Sequence, residues 1–142
     1  MINLSGNSIS RVWCEDNIIY KRQPKHLANN EEYALVTLAS TGYVPKFIGR
    51  VDDETIAMEY IKREPVTNIP EFMSHIGSVI EAIAAAELRH GDLTDYAVLV
   101  RDNKPIIIDW AESRWIDDKR PDKRPGGDYH WLKKTMEKLC QL

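Results

Sequence analysis

Polar and apolar positions follow two different periods along this chain, and the change of period divides it in two. Over the first sixty residues, short apolar or β-branched runs occur at 9–13, 17–22, 47–51 and 55–60. Polar breaks at Cys14-Glu15-Asp16 and Asp52-Asp53-Glu54 separate them, and runs of this length around such breaks predict two strand hairpins. Between the hairpins, Leu35 and Leu38 share one face of a helix expected over 28–39, which ends at Ser40-Thr41-Gly42. The order is therefore β-β-α-β-β, a twisted sheet carrying one helix.

From residue 69 the period lengthens. Met73, Ile76, Ile80 and Ile83 recur at helical spacing, so one helix is expected from 69 to about 88. Pro70 in its first turn and Glu71 against the helix dipole mark its start. Apolar runs at 97–100 and 106–108 then flank the turn Arg101-Asp102-Asn103-Lys104. Residues 117–127 are charged and rich in Pro and Gly, with no regular period. Tyr129, Leu132, Met136 and Leu139 complete a last amphipathic helix.

At 142 residues the chain is long enough for one domain that buries roughly 70% of its unfolded surface. No apolar run reaches the length of a membrane span, and the first residues lack a basic and then apolar leader, so neither a membrane nor secretion is expected. A net charge of −3 argues against general nucleic-acid binding, which needs a basic face. Cys14 and Cys140 match no metal spacing and read as free thiols in a reducing cytoplasm.

The chemistry concentrates in residues 89–110. Asp92 follows the long helix on a loop, and Asp109 follows the return strand of the apolar hairpin. Two carboxylates so placed can face one cleft. One can orient a hydroxyl nucleophile and accept its proton, and the other can hold a metal ion against phosphate oxygens. This is an arrangement for phosphoryl transfer.

With those residues in place, the chain resembles the protein-kinase-like superfamily from residue 6 to the last helix. His90-Gly91-Asp92-Leu93-Thr94 is most similar to small atypical kinases: RIO-type kinases, the kinase subunit of the tRNA-modifying KEOPS complex and short phage kinase-like proteins. The resemblance implies an α+β fold, a minimal two-lobed kinase-like domain. Residues 1–60 would form a small antiparallel sheet lobe with one helix, 61–68 a hinge or linker, and 69–142 a reduced helical lobe. It implies Asp92 as catalytic base, Asp109 as magnesium ligand, Lys21 as the phosphate-binding lysine and Glu31 as its partner. Backbone groups of Glu59 and Ile61 would meet an adenine edge, Val12 would pack on the base, and residues 6–10 would cover the phosphates. ATP and Mg²⁺ are the implied cofactors, and a serine or threonine of a protein is the implied acceptor. A pseudokinase scaffold and an ATPase switch in a complex are the alternatives.

Several residues also carry simpler readings. Lys21 alone is an ordinary strand lysine, Glu32 competes with Glu31, and the single glycine of residues 6–10 suits a surface turn. His90 reads as a structural brace of its loop. Asp128 reads as the N-cap of the last helix and as the support of the catalytic-loop backbone, and both roles can hold at once. Lys119, Arg120, Lys123 and Arg124 form a solvated loop, or a basic mouth that favours an acidic partner. The chain also departs from the family pattern. Ala97 stands where an asparagine binds a metal, with Asp95 the nearby substitute, and Trp110-Ala111 replaces Phe-Gly. The helical lobe is short for a peptide-binding platform.

Overall fold

The computed structural model describes residues 2–3 and 10–141. Nine strands and four helices follow the order β1 (Ile2–Asn3), β2 (Arg11–Glu15), β3 (Ile18–Arg22), α1 (Lys25–Thr37), β4 (Phe47–Asp52), β5 (Thr55–Glu59), α2 (Ile69–Ser74), α3 (Ile76–Ala85), β6 (Leu88–Arg89), β7 (Val98–Arg101), β8 (Lys104–Ile107), β9 (Arg114–Trp115) and α4 (Asp128–Leu139) among these residues. The fold is α+β. Five strands in the order β1-β2-β3-β5-β4, each antiparallel to its neighbour, make the first sheet. The ribbons β6-β9 and β7-β8 lie in the helical half.

Two of the three tight hairpins turn on residues that accept a left-handed backbone. Asp16 and Asn17 (φ 53° and 62°) join β2 to β3, and Asp102 and Asn103 (φ 53° and 58°) join β7 to β8. Positive φ at both central positions matches the twist of the flanking strands, and short polar side chains tolerate it. The first turn therefore sits later than the break expected at 14–16, and Cys14 and Glu15 continue the strand opposite Ile19 and Ile18.

Helix α1 begins at Lys25, earlier than the apolar period alone indicates, because Pro24 fixes its own φ (−50°) and its carbonyl accepts from Leu27 and Ala28. The single helix expected over 69–88 is two. Ser74 Oγ turns back to the Glu71 carbonyl (2.5 Å), the His75 N–H takes the Phe72 carbonyl in a tighter turn, and the His75 ring meets Tyr43 Oη (2.8 Å). These bonds break the helix at His75 although the apolar period continues through it. The β6-β9 ribbon was outside the sequence expectation, since two-residue strands that pair across 25 positions carry no periodic signal.

One core cluster runs through both halves, from Ala28, Leu35 and Ile56 through Phe72, Leu93 and Trp110 to Leu132 and Met136. Trp110 is fully buried and its indole N–H is satisfied by the Ile107 carbonyl (2.9 Å). The bulky residue in place of Phe thus anchors the strand end to the core. Residues 60–68 link the halves without regular structure, held to β7 by Glu64 N–H on the Val100 carbonyl (3.1 Å). Among the described residues no helix is long and apolar enough to cross a membrane.

Candidate active site

The wall of the cleft comes from β3 and α1. Strand alternation points Arg22 outward to Glu54 (3.2 Å) and Lys21 inward, where its ammonium lies 2.9 Å from Glu31 and 3.3 Å from Asp109. Glu31 is 1% exposed and also accepts from Gln23 Nε2 (2.9 Å) and the Trp110 N–H (3.1 Å). A buried carboxylate is tolerable only when its oxygens are so occupied. Burial alone would lower the Lys21 pKa, but Glu31 and then Asp109 outweigh it and raise the value, so the ammonium stays charged. Glu32, the competing residue, faces Arg50 (3.0 Å) on another side of the helix.

The floor is the loop 90–97. The Asp92 N–H donates to His90 Nδ1 (3.1 Å), which assigns the His90 proton to Nε2, and that atom donates to the Ile108 carbonyl (2.8 Å). The His90 ring is fully buried edge-on against Trp110, 4.6 Å between centroids. Histidine here is a brace. Asp128 completes it: its two carboxylate oxygens accept the His90 N–H (2.7 Å) and the Gly91 N–H (3.0 Å). The N-cap of α4 is Gly127, with no side-chain cap bond, so Asp128 supports the loop and does not cap its own helix. The Asp92 carboxylate makes no hydrogen bond or ion pair among the described residues. Burial raises its pKa, against the opposing charge of Lys123.

Asp109 sits at the end of the β7-β8 hairpin with left-handed backbone (φ 63°, ψ 55°), a conformation that costs energy and aims its half-exposed carboxylate into the cleft. A cavity of about 950 Å³ opens between wall and floor. Val12, Lys21, Glu31, Glu59, Ile61, Asp92 and Asp109 all line it. The Glu59 N–H is already given to the Lys46 carbonyl (2.8 Å), so a contact from this residue to an adenine edge falls to its carbonyl. The stretch 6–10, expected to cover the phosphates, lies outside the described residues except Ser10, which lines the cavity.

Two expected residues are elsewhere. Ala97 is fully buried in the core cluster and does not line the cavity. Asp95 faces away, in an exposed pair with Lys138 (2.6 Å), so the structure does not bring it to the site as a substitute ligand. Among the described residues no group of three or more His, Cys, Asp and Glu could hold a metal ion by itself. A half-exposed carboxylate lining this cleft fits magnesium in another way, since that ion takes one or two carboxylates and completes its shell with phosphate oxygens and water.

The sequence reading missed Gln23, Thr94, Tyr96 and Glu112, which also line the cavity. Gln23 had a signal: it stands two residues after Lys21, on the same face of an extended chain. Of the basic cluster, Arg120 is bound to Asp118 (2.6 Å) and Arg124 stacks on Trp131 (3.9 Å to the ring centre), while Lys123 lines the cavity. Hence the cluster does not act as one basic mouth.

Comparison with known proteins bears on this geometry. The RIO domain family matches residues 14–123. A probable bifunctional tRNA threonylcarbamoyladenosine biosynthesis protein of Methanosphaera stadtmanae is 33% identical over 58 residues, which is 39% of this chain and 11% of that protein. The crystal structure of the Rio2 kinase from Chaetomium thermophilum superposes with a TM-score of 0.65 at 17% identity, covering 95% of this chain and 63% of that one. Its ADP/Mg²⁺-phosphoaspartate complex gives 0.62 at 17% identity, over 89% and 57%. The chain thus spans a small part of the curated relative and about three fifths of the Rio2 kinase chains.

Proposed function

This chain belongs to the RIO domain family of atypical, protein-kinase-like domains, and from that premise we propose that it is a magnesium-dependent ATP phosphotransferase of minimal size acting on serine or threonine of a protein. The observation that carries the reading is that Lys21, Glu31, Asp109 and Asp92 line one cavity, with the first three in direct contact. Lys21, held by Glu31, would bind the α- and β-phosphates. Asp109 would hold Mg²⁺, which neutralises phosphate charge when bound. Asp92, whose carboxylate has no hydrogen bond or ion pair among the described residues, would orient the acceptor hydroxyl and take its proton. Glu59, Ile61 and Val12 would seat the base. The partner under this reading is a protein substrate, and the cytoplasm its compartment.

Two other readings are each favoured by one observation. Ala97 offers no oxygen, which suits a nucleotide-binding pseudokinase. The Rio2 kinase complex contains a phosphoaspartate, which suits an ATPase switch with water as final acceptor. One experiment separates the three: γ-labelled ATP with a generic protein, with small alcohols and with the chain alone, each followed by hydroxylamine. Label stable to hydroxylamine on protein hydroxyls supports the kinase. Hydroxylamine-labile label with phosphate release supports the ATPase, and binding without transfer supports the pseudokinase. ATP with Mg²⁺ at a hundredfold over its Kd should stabilise the fold by about 2.7 kcal/mol, and Lys21→Ala should remove most of that shift. An unchanged melting curve for the parent in millimolar ATP overturns the nucleotide site.

A further inference from the structure

The segment 118–124 is irregular, yet it is fastened on both sides of Lys123, to β6 and to the loop that carries Asp92. Asp122 pairs with Arg89 (3.3 Å), and the Arg124 N–H donates to the Gly91 carbonyl (2.9 Å). The Arg124 guanidinium lies on the Trp131 ring of α4, 3.9 Å from its centre. Gly91 permits the approach: at φ 80° a Cβ there would meet the Asp122 carboxylate at 3.2 Å. Three anchors within three residues present the Lys123 side chain to the cavity beside Asp92.

The electrostatics of the cleft need a cation at that place. Asp92, Asp109 and Glu112 all line the cavity, and a nucleotide would bring further negative charge. Lys21 is committed at the deep end to Glu31 and Asp109. The residues that follow Asp92, namely Leu93, Thr94, Asp95 and Tyr96, include no base. Arg63 also lines the cavity but follows Ile61 at the end assigned to the adenine. Lys123 is close enough to Asp92 for its charge to be the foremost influence opposing burial there.

Resting on the kinase-like reading of the site, we infer that Lys123 is the residue that contacts the terminal phosphate of the bound nucleotide, supplying from the segment after β9 the cation that the Asp92 loop lacks. It thereby distinguishes a nucleoside triphosphate from a diphosphate and stabilises charge on the phosphoryl group in transfer. Lys21 grips both nucleotides, and Lys123 grips one.

The test compares the parent with Lys123→Ala, Lys123→Gln and Lys123→Arg, and with Lys21→Ala as control. Dissociation constants for ATP and for ADP, each with Mg²⁺, are measured by calorimetry, beside single-turnover loss of the γ-phosphoryl group. Lys123→Ala and Lys123→Gln should lower the preference for ATP over ADP on the order of tenfold and slow transfer about ten- to a hundredfold. ADP affinity and the melting temperature without nucleotide should stay as in the parent, and Lys123→Arg should recover part of both losses. Lys21→Ala should weaken ATP and ADP alike. An unchanged ATP-to-ADP ratio in Lys123→Ala and Lys123→Gln, with the parent binding both nucleotides, overturns the inference and leaves the site reading standing. Equal weakening of ATP and ADP by Lys123→Gln overturns it too, since that pattern belongs to a structural role. A parent that binds neither nucleotide overturns the site reading and the inference with it.

Discussion

The wall and the floor of the cleft hold Asp109 and Asp92 by opposite means. The wall ties down Asp109 through a network of charges: Lys21 bridges it to Glu31, and Glu31 is itself saturated by Gln23 and the Trp110 N–H. On the floor, the Asp92 loop is held through its backbone, by Asp128 on two N–H groups and by His90 across to Ile108. The Asp92 side chain takes no part. The difference teaches how one cleft serves two tasks. Under the proposed function, the group that would meet charged phosphates is preset by buried countercharge, whereas the group that would receive a hydroxyl proton has no partner among the described residues while its backbone is clamped.

The largest test of this contrast breaks the wall. Glu31→Ala leaves the buried Lys21 ammonium with Asp109 alone, and removal of one partner of a buried pair costs about 3–5 kcal/mol. Urea denaturation should show this loss, and nucleotide affinity should fall with it. The double variant Lys21→Met/Glu31→Leu should be more stable than Glu31→Ala while still failing to bind ATP. A double variant no more stable than Glu31→Ala would show that the network matters by shape and not by charge.

Next comes the floor. Asp128→Ala removes two bonds to a charged acceptor and strands the N–H of the fully buried His90, for a cost of about 2–4 kcal/mol. Because the wall is untouched, nucleotide affinity should fall less than transfer does. Equal losses in both would dissolve the division between wall and floor.

A smaller effect is expected at Gly91. Its left-handed φ and the Asp122 carboxylate at the place of a Cβ make Gly91→Ala cost about 1–2 kcal/mol. Chemical denaturation checks the cost, and Asp122→Ala in the same background should return part of it.

Ala97→Asn sharpens the contrast most gently. The site is in the core cluster, so the new amide costs on the order of 1 kcal/mol unless it finds partners. If the amide carbonyl reaches the metal beside Asp109, turnover rises about tenfold by analogy with other metal-shell changes. Single-turnover rates across a magnesium titration decide it, and no gain at any concentration in a folded, ATP-binding variant means that the position does not limit catalysis.

What the sequence determined by itself was local or periodic. The helical register of α1 put Glu31 in line with Leu35 and Leu38, whereas Lys21, in a strand whose apolar residues do not alternate, was marked only by the resemblance. The spacing of Asp92 and Asp109 about an apolar hairpin declared a pair of carboxylates for one cleft. The register and the spacing follow from φ/ψ preference and side-chain period, which neighbouring residues suffice to set. Other features depended on atoms distant in sequence. The break at His75 needs Tyr43, 32 residues away, to hold the ring. The duty of Asp128 needs two N–H groups 38 and 37 positions earlier, and without them a carboxylate at a helix start reads as a cap. Ala97 lies at its place in the motif, but only packing shows it turned into the core, and only packing separates Lys123 from the other bases of an exposed loop. The period of a chain fixes which face a side chain takes, and the meeting of two faces is decided when distant elements compete to bury apolar surface and satisfy each other's polar groups.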